Sequence, residues 1–514
     1  YPQQLFLILF ELTFFYFYLL YCLEFTLMDK NKEVISEIGW NLKKSYTKLP
    51  NILFSELKPD FINNPRVIKV NNKLAAELGL NFSKLTESQI SNLFAGNELP
   101  PLSRPFSQSY AGHQFGHFTI LGDGRAHMLG EQMAPDGHIY DIQFKGSGKT
   151  PFSRGADGKA ALGPMLREYL ISEAMYYLNI PTTRSLAVIE TGEKIYREVP
   201  LKGAILTRVA KSHIRFGTFQ FLAAYKDYES MSQLLDYSIE RHFQINKITT
   251  NKALGFIEAV MARQIDLIIH WMRVGFIHGV MNTDNSTISG ETIDYGPCAF
   301  MDQYDFKTVF SSIDTQGRYA FGNQPSIIQW NLVRLAECLL PLIDNQEKEA
   351  IKKAQASINK FGDIFNHKWK AMMLSKIGIE TESVDDEELI NTLLSWMQEK
   401  NADYTNTFCH LMDLDHANDE IYEDQQFSEW KHHWQERTKK YQLASIMKNI
   451  NPVMIPRNHL VEEALSDAET NHRFDKFENL LTLLSTPYTQ TNLREEFVKT
   501  PKKSENKYQT FCGT

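Results

Sequence analysis

The sequence predicts an α+β fold in two lobes, the first rich in strands and the second in helices. Between Phe115 and Val209, short apolar or alternating runs predict strands, with one strongly helical window among them. From about Thr218 onward, apolar residues recur at the spacing of amphipathic helices. The chain has 514 residues, more than one small core serves, so we expect a large, elaborated fold.

The composition excludes several classes of partner. Lys and Arg number 54 against 62 Asp and Glu, which gives a net charge of −8. Such a chain has no general attraction to nucleic acid or to an anionic membrane, so any phosphate site must be local. The five cysteines are scattered and form no CxxC pair, which argues against a disulfide framework and for a reducing, cytoplasmic location.

An apolar stretch near the N-terminus, Leu5 to Leu23, is long enough to cross a membrane. Glu11 interrupts it, and no basic residue precedes Lys30, unlike the start of a signal peptide. We favour the interpretation that residues 1–27 are an upstream read-through and that translation begins at Met28, and we expect no membrane partner. The alternative interpretation is an N-terminal anchor.

The first lobe can be assigned element by element. Residues 139–146 alternate as a strand and lead into a glycine-punctuated loop. Residues 164–179 have helical spacing, with Pro164 in the first turn and Pro181 after the end. Three further strands are predicted, at 185–191, 192–199 and 203–210.

The second lobe begins with a long helical window, residues 256–279. The loop HGVMNTDN (278–285) and a predicted hairpin, STISGETIDYG (286–296), follow it, and the last 170 residues are mostly helical. This order is the layout of a bilobal protein-kinase-like fold. We therefore divide the chain into residues 1–27, an N-terminal extension (28–100), an N-lobe (101–217), a C-lobe (218–345) and a helical C-terminal region (346–514).

A lysine and a glutamate occupy the positions that clamp a nucleotide in kinase-like sites. Lys145 ends the strand at 139–146, and Glu168 lies in the first turns of the following helix. Their side chains could pair and hold phosphates. Taken alone, such a pair is more often a surface salt bridge.

The loop at 278–285 departs from the kinase pattern at one position. In that pattern the metal-binding Asn follows the catalytic Asp by five residues, and counting back from Asn285 reaches Val280. The nearest carboxylate is Asp284. Asn285 and Asp294 offer two oxygen ligands for Mg²⁺ or Mn²⁺. The structural alternative is a helix end with His278 and Gly279 as cap residues.

A short glycine motif precedes the strand that carries Lys145. Gly122 and Gly124, followed by Arg125, could let backbone amides approach a phosphate, although a lone GxG is more often a turn. Arg208 and Arg215 could add guanidinium clamps, although two arginines at this spacing are usually solvated.

Two other motifs do not support the sites they suggest. GSGKT (146–150) lacks the first glycine of a Walker motif, because position 143 is Gln143, and Pro151 follows where a helix should continue. His113 and His117 have the spacing of metal ligands, but no third ligand is evident, so we favour structural roles for both.

Taken together, these motifs resemble those of the selenoprotein O family of kinase-like protein adenylyltransferases. The matching blocks, in order, are SRPFSQSYAGHQFGHFTILGDGRAHMLGE, YDIQFKGSGKTPFSRGADGKAALGPMLREYLISEAM, HGVMNTDN, DYGPCAFMD and GRYAFGNQP. The resemblance runs from about Trp40 to the C-terminus. It implies an inverted nucleotide, so that AMP is transferred from ATP to Ser, Thr or Tyr hydroxyls of other proteins, with Mg²⁺ or Mn²⁺. We expect a monomer.

The resemblance also implies roles for individual residues. Asp284 resembles the proton acceptor, Asn285 and Asp294 the metal ligands, and Glu168 the partner of the phosphate-binding lysine. The residues that resemble nucleotide-contacting positions are Gly122, Gly124, Arg125, Lys145, Asp157, Gly158, Arg208, Arg215 and Asp294. An inverted nucleotide would move the reacting centre away from position 280. Val280 at that position is then compatible with an active enzyme.

The C-terminus carries a candidate redox residue. Eukaryotic members of the family place selenocysteine near this end, where this chain has Cys512. Some members pair it with a cysteine after the Asp-Tyr-Gly motif, and the nearest candidate here is Cys298, since residues 310–312 are Phe, Ser and Ser. The alternative is a tail cysteine without a role.

Two other functions stay open on the sequence. One is a kinase that transfers the γ-phosphoryl group of ATP. The other is a pseudokinase that binds ATP without catalysis, for which the absence of an Asp at position 280 is the main argument.

Overall fold

The protein combines an extensive antiparallel sheet with many helices, as a computed structural model shows. The structure describes residues 35, 37–243, 251–414, 419–489, 495–500 and 508–510. The strands are β1 (Leu42–Lys43), β2 (Phe54–Glu56), β3 (Arg66–Val70), β4 (Phe106–Gln108), β5 (Ala111–Gln114), β6 (His117–Ile120), β7 (Ala126–Met133), β8 (Ile139–Lys145), β9 (Ala160–Ala161), β10 (Arg184–Tyr196), β11 (Pro200–Ala210), β12 (Phe276–Ile277) and β13 (Ala299–Phe300). The apolar stretch Leu5 to Leu23 lies outside the described residues.

Helices fill the rest of the described chain. They are α1 (Asn72–Glu77), α2 (Glu87–Ala95), α3 (Leu162–Tyr177), α4 (Phe216–Ala224), α5 (Tyr228–His242), α6 (Lys252–Arg273), α7 (Gln324–Ile343), α8 (Glu347–Ile358), α9 (Phe361–Lys376), α10 (Asp386–Lys400), α11 (Tyr404–His410), α12 (Gln425–Thr438), α13 (Leu443–Met447), α14 (Asn458–Asn471), α15 (Asp475–Leu484) and α16 (Glu495–Val498). Short 3₁₀ turns lie at Tyr46–Lys48, Asn51–Leu53, Thr283–Asn285, Phe321–Asn323 and Glu420–Glu423.

The large sheet places the strand of Lys145 in its interior. Its order is β2-β4-β7-β8-β11-β10-β3, with β1 added to β7 and β9 added to β11. Strand β8 forms where the alternation at 139–146 predicted it, and Lys145 lies opposite Ala126 on β7 and Leu206 on β11. A lysine held between two neighbouring strands is fixed in position, unlike one in a surface loop.

The prediction of three strands after the helix was wrong: there are two. Residues 184–196 form one continuous strand, β10, with a register irregularity between Glu190 and Lys194. Gly192, at φ 73°, makes a bulge there instead of a turn. A glycine in an otherwise strand-like pattern fits either outcome, and pairing with β11 on both sides of it keeps the strand intact.

The helix α3 agrees with the prediction for residues 164–179 to within two residues at each end. It packs on β10 and β11 and, on its other side, against α14 and α15. Most of its residues are therefore buried, including Glu168. Helix α3, which carries Glu168, is thus packed between the sheet and the C-terminal helices.

Two predictions about the start of the second half were also wrong. Helix α6 ends at Arg273 instead of residue 279, because Gly275 takes up φ 71° and the chain turns into β12. The described residues 286–296 do not pair with one another as a hairpin. Instead, Thr287 bridges to Arg215, and Thr292 bridges to Thr182.

One large apolar cluster joins the two halves. It extends from Tyr46 to Leu484 and includes residues of α3, α6 and α7. A second cluster lies under α1 and α2 on the other face of the sheet and includes Phe94 and Phe144. Among the described residues, one helical stretch, Phe321–Ile343, is long and apolar enough to span a membrane, but half of that window is buried inside the protein, as in a core helix.

Candidate active site

A cleft of about 690 Å³ lies where the sheet, α3 and the loop before Asp294 meet. Its lining includes all the residues that the sequence assigned to nucleotide binding, metal binding or proton transfer: Gly122, Gly124, Arg125, Lys145, Asp157, Gly158, Glu168, Arg208, Arg215, Asp284, Asn285 and Asp294. These residues come from distant parts of the chain. The fold brings them together in one cleft.

Lys145 and Glu168 form a buried pair at the base of this cleft. The Lys145 Nζ lies 2.6 Å from Glu168 Oε2 and 3.0 Å from Asp294 Oδ1. Burial alone would raise the pKa of Glu168, but Arg208 and Lys145 outweigh it and lower that pKa. Burial lowers the pKa of Lys145 from its ordinary value. The pair is therefore a desolvated clamp and not a surface salt bridge.

Asp294 is surrounded by cations. Its Oδ1 accepts hydrogen bonds from Lys145 and, at 2.7 Å, from Arg208 Nη2, and its Oδ2 accepts one from Arg215 Nη1. Against the effect of burial, Arg208, Arg215 and Lys145 hold the pKa of Asp294 well below its usual range. The residue has φ 61°, in the left-handed region, which Asp adopts more readily than most residues other than Gly. Asp294 is thus ionised and held in place by the surrounding contacts.

The glycine motif packs closely against the loop that follows β8. A Cβ on Gly122 would lie 2.4 Å from Phe152 Cγ, and one on Gly124 would lie 2.8 Å from the Phe152 carbonyl oxygen. Ser153 Oγ donates a hydrogen bond to the Gly124 carbonyl at 2.5 Å. Glycine is required here so that the two loops can approach each other and form one wall of the cleft.

Asp157 and Gly158 lie in the same wall. Asp157 accepts hydrogen bonds from Arg197 at 2.8 and 3.0 Å. Gly148 N–H donates to the Gly158 carbonyl at 3.1 Å, and a Cβ on Gly158 would clash with Gly148. The GSGKT segment is part of this loop wall, and the next helix begins only at Leu162, so it is not a Walker motif.

Asp284 lies in the 3₁₀ turn Thr283–Asn285 and lines the cleft. Its side chain is buried; Oδ1 has no hydrogen-bond partner, and Gln114 Nε2 donates to Oδ2 at 3.4 Å. Burial raises the pKa of Asp284 to about 6. A carboxylate without an ion-pair partner and with a pKa near the working pH is suited to accept a proton.

Asn285 and Asp294 offer oxygen atoms suited to a hard divalent cation. Asn285 Nδ2 donates to the Val280 carbonyl at 2.9 Å, which leaves its Oδ1 available. The described residues contain no group of three or more His, Cys, Asp or Glu side chains that could hold a metal. A cation here would therefore need phosphate oxygens to complete its coordination, as Mg²⁺ commonly does.

The histidines examined in the sequence have structural surroundings. His113 Nδ1 lies 2.8 Å from Gln220 Nε2, and His117 is exposed on β6. His278 does not cap a helix. Its Nε2 lies 2.8 Å from the carbonyl of Ile293, so it supports the segment that carries Asp294.

Of the two candidate redox cysteines, Cys298 is among the described residues. Cys298 is fully buried, and burial raises the pKa of its thiol to about 11, which keeps it protonated and poorly reactive at neutral pH. Cys512 lies outside the described residues. The segment 508–510 just before it borders the cleft, and Thr510 Oγ1 donates to the Pro297 carbonyl at 2.7 Å.

Several cleft residues were missed from the sequence. Asp123 is buried, accepts a hydrogen bond from Gln143 Nε2 at 3.2 Å, and was only the x of the GxG motif. Its carboxylate within a glycine loop was a usable signal. Gln114, Asn282 and Arg197 lie in loops or at strand ends, and nothing in their local sequence singled them out.

The chain matches one protein family and is similar to several named proteins. The family described as "Protein adenylyltransferase SelO" matches residues 38–485. Proteins named "Protein nucleotidyltransferase YdiU" are similar over most of their length. The one from Nitrosococcus oceani is 53% identical over 483 residues, 93% of this chain and 98% of the relative. Those from Bacillus cereus (strain AH820) and Pelagibacter ubique are 52% and 51% identical, covering 95% and 93% of this chain and 100% of each relative.

Proposed function

Because the chain belongs to the SelO family of protein adenylyltransferases, we propose that it transfers AMP from ATP to Ser, Thr or Tyr hydroxyls of other proteins, in a metal-dependent reaction. The observation that carries the proposal is that a cation cluster and the buried carboxylate of Asp284 line the same cleft. The cations suit a triphosphate, and the carboxylate suits an acceptor hydroxyl.

We propose that the fold is kinase-like, with residues 101–217 as the N-lobe and 218–345 as the C-lobe. The order of parts supports this: a glycine loop, a lysine strand, a glutamate helix, the loop with Asp284 and then Asp-Tyr-Gly. Residues 28–100 and 346–514 would be additions to these lobes. The C-terminal helices α14 and α15 lie directly against α3.

The proposed reaction is a displacement at the α-phosphorus of ATP. The acceptor oxygen forms a bond to this phosphorus, the bond to the oxygen bridging to the β-phosphate breaks, and pyrophosphate leaves. The hydroxyl proton passes to the carboxylate of Asp284, which lines the cleft. With a pKa of about 6, this carboxyl is mostly ionised at neutral pH and can take the proton.

The cationic side chains would exchange partners when ATP binds. Lys145, Arg208 and Arg215 are engaged with Glu168 and Asp294 in the structure. Phosphate oxygens compete for the same donors, and guanidinium groups match their geometry. Arg125 lines the cleft and makes no ion pair within the described ranges, so it is available to a phosphate without losing a partner.

A divalent cation, Mg²⁺ or Mn²⁺, would be held by Asn285 Oδ1 and the carboxylate of Asp294. It would neutralise charge on the phosphates and orient them for displacement. Three cationic side chains already surround Asp294. The charge of an added divalent cation is therefore balanced only if the triphosphate supplies negative charge. We therefore expect metal and ATP to bind together.

Incubation of the purified protein with ATP, Mg²⁺ or Mn²⁺ and candidate substrate proteins, followed by intact-mass analysis, tests this function. We expect a mass increase of one AMP group with wild type and none with Asp294→Ala. A mass increase of one phosphate group would instead indicate a kinase. An unchanged mass with both proteins would favour an ATP-binding protein without catalysis.

A further inference from the structure

The surface beside Asp284 has the chemistry of a peptide-binding site. We propose that it binds the acceptor polypeptide in an extended form, and that Arg318 selects an acidic residue close to the acceptor hydroxyl. We call this surface the acceptor face; it consists of the hairpin β5–β6 together with Arg318 and Trp330. The inference rests on the proposed function and adds to it the class of acceptor.

The hairpin is fixed to the loop that carries Asp284. His113 N–H donates to Thr283 Oγ1 at 2.7 Å, and Phe115 N–H donates to Asn282 Oδ1 at 3.1 Å. At Gly112 the backbone approaches so closely that a Cβ would lie 2.1 Å from Asp284 Oδ1. The hairpin is therefore held firmly against the loop that carries the proposed base.

The loop containing Arg318 is fixed to the same point. Tyr319 OH donates to Asn282 Oδ1 at 2.6 Å, and its ring centroid lies 5.0 Å from that of Phe115. Asp314 accepts from the backbone N–H of Arg318 at 2.9 Å. The hairpin turn adopts positive φ at Phe115 (49°) and Gly116 (88°), which brings Gly116 close to the Arg318 guanidinium.

Arg318 is the uncompensated charge of this surface. Its guanidinium lies over the Trp330 ring, 4.9 Å from the centroid, and forms no ion pair with any residue the structure describes. Arg334, on the same ring, is already paired with Glu337 at 2.7 Å. Burial, together with the two arginines, lowers the pKa of His113, so it adds no charge at neutral pH. A stacked guanidinium without an ion-pair partner fits a carboxylate.

The outer strand of the hairpin is open to a partner. Among the described strands, β6 pairs only with β5, so its other edge offers unsatisfied backbone groups to an extended chain. Phe118 and Ile120 on β6 are 45% and 40% exposed. Backbone pairing and two apolar contacts would supply affinity, and Arg318 would supply the charge preference.

The test uses full-length protein, ATP with Mn²⁺, and a peptide library with a fixed Ser, Thr or Tyr in degenerate flanks. Mass spectrometry of the AMP-modified peptides gives the residues enriched at each position. With wild type we expect Asp and Glu to be enriched near the acceptor, roughly three- to tenfold, as for a partly exposed charge pair. Arg318→Gln should remove this enrichment, and Arg318→Glu should replace it with enrichment of Lys and Arg.

A matched charge reversal on a distant surface serves as the control. Arg66 is exposed on β3, the edge strand of the large sheet, and β3 contributes no residue to the cleft, so Arg66→Glu should keep the wild-type preference. Unchanged ATP binding by the Arg318 variants would show that they fold. The same preference in wild type and Arg318→Glu, or no acidic preference in wild type, would overturn this inference alone. No AMP-modified peptide with wild type would overturn it together with the proposed function.

Discussion

The carboxylate of Asp284 has no cationic hydrogen-bond partner, unlike those of Glu168 and Asp294 in the same cleft. Glu168 and Asp294 are ion-paired and have lowered pKa values, whereas burial raises the pKa of Asp284 to about 6. Ion pairing therefore keeps Glu168 and Asp294 charged, whereas Asp284 can exchange protons near neutral pH.

The first prediction concerns the pH dependence of AMP transfer. The proposed base must be ionised, and its raised pKa means that it loses its charge below about pH 6. We expect the single-turnover rate to fall about tenfold per pH unit below this value and to be flat from pH 7 to 8. Asp284→Asn should remove most of the transfer at every pH. A wild-type profile without a break between pH 5 and 7 would contradict the assignment.

The same burial should cost stability. A carboxyl whose pKa rises from 3.8 to about 6 on folding destabilises the native state above pH 6, and this cost disappears below pH 3.8. Asp284→Asn should therefore raise the free energy of unfolding at pH 8 by up to about 3 kcal/mol. The gain should shrink as pH falls toward 4. Denaturant melts at both pH values check this, and a variant less stable than wild type at pH 8 would contradict it.

Lys145→Ala tests whether the lysine serves the reaction or the fold. Glu168 keeps its contact with Arg208, with Nε and Oε1 2.7 Å apart, so the buried carboxylate is not left without a partner. We expect AMP transfer to fall by ~10²- to 10³-fold, as for loss of a group that stabilises transition-state charge. The thermal melt should stay cooperative. A collapsed melt would indicate a structural role instead.

At the scale of elements, the hairpin β5–β6 positions the proposed base. Gly112→Ala would place a Cβ 2.1 Å from Asp284 Oδ1 and push the carboxylate away. We expect transfer to fall by about 100-fold while ATP binding is kept, because small misplacements of a reacting group are costly. Gly362→Ala, in α9 with open space around it, is the matched control and should leave the rate unchanged. Full activity of Gly112→Ala would rule out this positioning role.

Elements with strong local patterns were predictable from the sequence. The alternation of β8 and the helical spacing of α3 specify each element by itself, and their side chains Lys145 and Glu168 meet as expected. The hairpin predicted for residues 286–296 was wrong because it assumed that this segment pairs with itself. In the fold, its backbone instead pairs with Arg215 and Thr182, far away in sequence. Such long-range pairing leaves no periodic signal.

At the scale of the whole molecule, the C-terminal helices support the cleft. Arg167 on α3 pairs with Glu462 on α14 at 2.6 Å, and Gly163 N–H donates to Glu469 at 3.0 Å. Glu462 and Glu469 also line the cleft. The spacing of apolar residues in this region predicted only that it is helical, because a surface shared by distant segments cannot be read from either one alone.

A buried ion cluster ties the C-terminal region to the segment after Asp294. Arg457 Nη1 lies 2.6 Å from both Asp302 and Asp403, and Arg457 is almost fully buried. Arg457→Ala leaves these carboxylates without their partner and should lower the free energy of unfolding by about 3–5 kcal/mol. Lys252→Ala, which removes an exposed pair with Asp236, should cost less than about 1 kcal/mol. Similar denaturant midpoints for the two variants would show that the cluster does not stabilise the fold.

ATP labelled at the α-phosphate, compared with ATP labelled at the γ-phosphate, distinguishes AMP transfer from phosphoryl transfer. Wild-type protein, a divalent cation and acceptor proteins are incubated with each, and Asp294→Ala serves as the inactive control. AMP transfer predicts that protein-bound label comes only from the α-position, with release of pyrophosphate. Label retained only from the γ-position would contradict the account and identify a kinase.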